Sequence, residues 1–196
     1  MNKKEIRNII YNDLKNGFSF QDIFNRISGQ SKNDYEKTKL AEIFSFTPTP
    51  DKIVTYKYLN NVFFYLLVLN FALKIFLFFY VLPILLKVDS TLFIIFFWIL
   101  IAFYFWMIWV VFKIKLEAYK QVGYLLILNF LSIQNIMNPE SDLYMIALFS
   151  SFLNLLLIIL SFYLGYKLKT KYSVSNVEYT NEEGKIDLRK DFLFYE

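Results

Sequence analysis

From Thr91 to Phe112 the chain reads TLFIIFFWILIAFYFWMIWVVF, with no charged side chain and apolar residues on every side of the helix it would form. Such a helix has no polar face to turn toward water, and about 20 residues of this kind are what a bilayer core requires. Three other stretches meet or approach the same requirement, at about 61–86, 119–137 and 143–166. The stretch 119–137 is the least apolar, because Asn129, Ser132, Gln134 and Asn135 fall inside it; alone it would read as a marginal or re-entrant helix. Composition agrees with the pattern: 57% hydrophobic and 21% aromatic residues lie well outside the range of a soluble domain. The expected fold class is an all-α integral membrane protein with four transmembrane helices, a short helical N-terminal segment and a C-terminal β-hairpin. Its expected divisions are a helical segment at 1–48, a four-span bundle at 49–166 and a tail at 167–196.

Loop charges orient the spans, since short loops rich in Lys and Arg stay in the cytoplasm. Lys113, Lys115 and Lys120 flank the second loop, and Lys167, Lys169 and Lys171 follow the last span. The third loop, NPESD, has no basic residue, and the first sets Lys87 against Asp89. Both termini are therefore expected in the cytoplasm of a bacterial cell, with the chain passing four times through the inner (plasma) membrane. Tyr56, Tyr58, Tyr119, Tyr124, Tyr163 and Tyr166 mark the span edges as an aromatic belt. MNKKEIRNIIYNDLK carries Glu5 and Asp13 within any apolar core and lacks a small-residue cleavage site, so the first span is expected to serve as the insertion signal.

The flanking segments carry clear punctuation. Ile6, Ile9, Ile10 and Leu14 recur at helical spacing, and Gly17 is placed to end that helix in a left-handed cap. Ser19 and Asp22 form an approximate capping box for FQDIFNRIS, and a third helix is expected over about 33–44. TPTP ends it, while Thr49 and Pro50 supply an N-cap and first-turn pair for a helix running on into the first span. In the tail, VEYTNEEGKIDL alternates around a Gly-containing turn and predicts a hairpin; DFLFYE is expected to fold back onto the N-terminal helices.

Polar residues inside the spans are the functional candidates. Lys74 has roughly 18 Å of helix on either side, too far to snorkel easily, and insertion scales charge a central lysine about 2.5–3.5 kcal/mol. Shelter by protein or water is expected. Asn70 shares its face by i,i+4 spacing. Asn129 and Ser132 on the third span and Asn154 on the fourth complete a candidate polar or pore-lining interior, with the second span turned to lipid. On the fourth span Ala147, Ser151, Ser161 and Gly165 form a stripe of small residues suited to close helix packing.

The absence of both His and Cys removes thiol nucleophiles, Ser-His chemistry and ordinary zinc sites, and no glycine-rich phosphate loop occurs. The spans also lack Asp and Glu to relay a proton. No enzymatic activity, catalytic residue, metal, cofactor or direct nucleic-acid binding is expected. What remains is a homo-oligomeric pore or channel in the bilayer, whose ring of lysines would attract anions, or a membrane-anchored regulator that recruits a cytoplasmic protein partner through its flanking segments.

A basic helical leader ending in TPTP, four spans, the inner loop KIKLEAYK and a cytoplasmic tail together resemble the small accessory membrane proteins that accompany type VI-B CRISPR RNA-guided nucleases. The resemblance is one of layout over the whole chain and carries no residue roles. It implies antiviral defence, regulation of an RNA-cleaving effector and membrane permeabilisation by an oligomer.

Overall fold

The structure, a computed structural model, describes residues 2–29, 33–87, 91–134, 144–180 and 186–195. Among them are seven helices: α1 (Lys3–Lys15), α2 (Phe20–Ser28), α3 (Asp34–Ser45), α4 (Pro50–Lys87), α5 (Thr91–Phe112), α6 (Leu116–Gln134) and α7 (Tyr144–Lys167). Two strands, β1 (Lys171–Thr180) and β2 (Ile186–Tyr195), form an antiparallel pair. The chain divides into a unit of Met1–Thr55 with Lys167–Glu196 and a unit of Tyr56–Tyr166. The N-terminal segment and the tail, separate in the sequence, thus share one folded unit.

In that first unit the punctuation sets the helix ends. Asn2 and Glu5 make a reciprocal capping box at the start of α1, and Gly17 follows the helix at φ 86°, where a side chain would be strained. Ser19 accepts from the Asp22 backbone N–H and donates to the Asp22 carboxylate, opening α2. Thr49 caps α4, accepting from the backbone N–H of Lys52. Ile6 and Ile10 of α1, Phe20, Ile23, Phe24 and Ile27 of α2, and Leu40 and Phe44 of α3 bury one shared face. Phe192 and Phe194 of β2 complete this core: the Phe24 ring lies 5.3 Å from that of Phe44 and 5.0 Å from that of Phe194. An aromatic cluster of this kind gives a small helical unit the buried area that its three short helices lack alone. The chain after α7 is pinned to the α3–α4 connection, where the Thr170 N–H donates to the Ser45 carbonyl at 3.0 Å.

The second unit holds the apolar helices. α4 over Pro50–Tyr80 and α7 are each long and apolar enough to cross a membrane, and α5 adds an apolar run over Phe97–Phe112. α5 and α6 are joined by Lys113, Ile114 and Lys115. The Ile114 N–H donates to the Val111 carbonyl and the Lys115 N–H to that of Val110, closing the helix end with Ile114 at φ 48°. That left-handed position ordinarily favours glycine, so a β-branched residue there is strained. The ammonium of Lys115 lies over the Trp109 ring, 3.5 Å from its centroid.

Candidate functional site

Each helix of the second unit buries a seam at alternating three- and four-residue spacing. On α4 the seam is Asn60, Phe63, Leu67 and Asn70, continued by the half-buried Lys74; on α6 it is Tyr119, Val122, Leu126 and Asn129; on α7 it includes Ser150, Asn154, Leu157 and Ser161. α5, whose uniform hydrophobicity gives no face to read, turns Tyr104, Met107 and Val111 inward. The opposite surfaces are apolar and open: Trp98 is 63% exposed and Phe152 66%. Asparagine, serine and tyrosine side chains are buried among apolar ones, while large apolar side chains cover the outside, an exterior unlike that of a water-soluble domain.

The buried polar groups gather in two places. In the first, the Asn70 amide donates to the Tyr104 hydroxyl at 3.1 Å and to Asn154 Oδ1 at 2.9 Å, while its own oxygen accepts from Ser150 Oγ at 3.4 Å. Asn129 also donates to the Tyr104 hydroxyl. One cluster therefore joins α4, α5, α6 and α7, with the Phe71 ring stacked on Tyr104 beside it. The second cluster lies about 15 Å away along α4, at Asn60. There the Tyr119 hydroxyl donates to Asn60 Oδ1, Asn60 Nδ2 donates to the Val111 carbonyl at 3.5 Å, and Ser161 Oγ donates to the Tyr119 carbonyl. It too ties all four helices together.

The structure thus brings Asn70, Asn129 and Asn154 into one hydrogen-bonded set. The side chain of Ser132 and the whole of Asn135 lie outside the described residues. The expectation that the second span faces lipid alone is corrected by Tyr104, which sits at the centre of the first cluster. The small residues divide by role. Gly165 is buried with room only for close approach, since a Cβ there would meet Tyr119 Cβ at 3.3 Å. Ser161 bridges to α6, whereas Ser151 returns its hydroxyl to the Ala147 carbonyl of its own helix at 2.9 Å, and Ala147 is only half-buried. Gly123, on the facing helix, is held by the Phe162 ring, 2.9 Å from where its Cβ would be.

No protein family, curated protein or solved structure matches this chain. Its chemistry is therefore read from the clusters themselves. Among the described residues, two buried donors are without a partner, Lys74 Nζ and Asn154 Nδ2. Asn154 has its oxygen engaged by Asn70, and Lys74 stands one turn beyond Asn70 on the same seam. The first cluster is consequently rich in donors and short of acceptors. Water or an anion would satisfy it; a cation would not. Asn60 and Tyr119, absent from the sequence candidates, are found by the three-four spacing, which puts Asn60 in register with Asn70 and Tyr119 in register with Asn129; Tyr104, also absent, lies on a helix apolar on all sides, where no such signal exists.

Proposed function

We propose that the chain is a four-span inner-membrane protein with both termini in the cytoplasm, acting as a non-enzymatic anchor whose folded N- and C-terminal unit engages a cytoplasmic protein partner. The observation that carries this reading is the use of Asn70, Asn129 and Asn154 in bonds to one another and to Tyr104 within a single chain. Asparagines bonded across helices in this way hold the bundle together in lipid, a role that leaves little of them to line a conduit shared among copies. The apolar exterior of the same helices supports burial in a bilayer, and the aromatic core joining α2, α3 and β2 supports a unit built to persist outside it. By the layout resemblance, the partner is an RNA-guided, RNA-cleaving effector of the type VI-B CRISPR kind and the setting is antiviral defence.

One observation favours the second reading, a homo-oligomeric pore: the unpartnered ammonium of Lys74, which would be satisfied by a passing anion. Purified full-length protein in liposomes separates the two. The anchor expects anion flux equal to that of protein-free vesicles and co-sedimentation of a purified type VI-B effector with the proteoliposomes. Flux that is present in the wild type and lost in Lys74→Ala overturns the anchor in favour of the pore, and failure of the effector to sediment overturns the assigned partner.

A further inference from the structure

The two outer edges of the hairpin are treated differently. On β2 the Phe194 N–H donates to Gln21 Oε1 and Gln21 Nε2 donates to the Phe192 carbonyl, both at 3.0 Å, so one side-chain amide occupies the place of a neighbouring strand. The Lys190 N–H donates to Asp34 Oδ2 at 3.2 Å. Even-numbered residues of β2 thus turn their backbone groups away from β1. With Ser173 opposite Leu193 and Ser175 opposite Asp191, the odd-numbered residues of β1 carry the ladder and its even-numbered residues face outward. Among the described residues, nothing partners the outward backbone groups of Val174, Asn176 and Glu178, and every side chain from Ser173 to Thr180 is exposed.

This open edge has none of the usual protection. Between Tyr172 and Thr180 there is no proline, no glycine and no Lys or Arg, and Glu178 is the one charge. The same face of the ribbon exposes Leu188 (64%) and Ile186 (72%) beyond the core. The part of the ribbon that extends beyond that core is two strands alone, an arrangement marginal in water.

We infer that β1 pairs antiparallel with β1 of a second copy, giving a four-stranded sheet in the order β2–β1–β1–β2. Closure argues for this occupant. Because Gln21 and Asp34 already fill the far edge of each β2, pairing through β1 ends at two copies and does not run on into a fibre. Charge argues the same way, since a strand with a single acidic residue offers no stripe to a charged foreign peptide. With the twofold axis at Val177, the two Val177 side chains face each other, Tyr179 lies opposite Ser175, and each Asn176 lies opposite Glu178 of the other copy. No like charges are directly opposed. The inference stands whether or not the apolar helices cross a membrane.

The native chain has no cysteine, so a single one reports cleanly. Val177→Cys falls at a non-hydrogen-bonded position, where strand pairs approach to about 4.5 Å between Cα atoms and a disulfide fits. Mild oxidation of the purified full-length variant should give a reducible dimer. Adding Asn176→Pro removes an outward N–H that the β1–β2 ladder does not use, and should abolish that dimer while leaving the hairpin on its core, seen as unchanged protease resistance of β2. A Val177→Cys protein that stays monomeric on oxidation, or a dimer undiminished by Asn176→Pro, overturns the proposal, as does a purified wild type whose mass shows one copy bound to a foreign peptide.

Discussion

Asn70 is the residue on which the polar contacts of the bundle converge, with one amide bonded to three side chains on two other helices, Tyr104 of α5 and Ser150 and Asn154 of α7. Interhelical hydrogen bonds in membranes are worth about 0.6 kcal/mol each and at most about 1.7. Asn70→Leu is therefore expected to lower stability by about 1–2 kcal/mol, measured by reversible unfolding in mixed micelles. Ser151→Ala, which loses only a bond to its own helix, should cost less than about 0.5 kcal/mol in the same assay. Ile114 stores strain of the opposite sense. Replacing it by Asn, which tolerates the left-handed region, is expected to stabilise the protein by about 0.5–1 kcal/mol, read as a higher unfolding midpoint. At this scale the sequence was partly legible. Lys74 and Asn70 share a face by spacing alone, but Tyr104 could not be singled out, because in a segment apolar on all sides no periodicity says which side is inward.

Among the elements, the helix ends were the most readable part, since caps act locally: Ser19, Gly17 and the Thr49-Pro50 pair each do what their chemistry requires wherever the rest of the chain lies. The tail was harder. DFLFYE offers two apolar faces, Phe192 with Phe194 and Leu193 with Tyr195, and the choice between them depends on α2 and α3, which are distant in sequence. The first pair is buried and the second exposed. Phe24, packed against Phe44, Phe192 and Phe194, links the helices to the strand. Truncation in Phe24→Ala is expected to cost about 3–5 kcal/mol and to expose both the N-terminal helices and the tail to protease together. If the two segments were independent, digestion of the tail would proceed at the wild-type rate. Gln21→Leu should leave the core intact while opening the outer edge of β2, and is expected to convert a defined dimer into larger aggregates, followed by light scattering.

For the whole molecule, the membrane reading rests on an apolar exterior, with Trp98, Phe105 and Phe152 outside while asparagine, serine and tyrosine polar atoms are buried. Hydropathy could report the apolar stretches but not this sorting, which depends on how four seams meet. The orientation rests on Lys113, Lys115 and Lys120 in one loop and on the lysines after α7. The most direct measurement is labelling of single cysteines, placed one at a time in the cysteine-free chain, by a membrane-impermeant maleimide in intact cells. The account predicts that Asp89→Cys and Asp142→Cys are labelled at once, whereas Lys115→Cys and Ser175→Cys react only after the membrane is opened. Immediate labelling of Lys115→Cys, or protection of Asp142→Cys, would contradict four crossings with both termini inside.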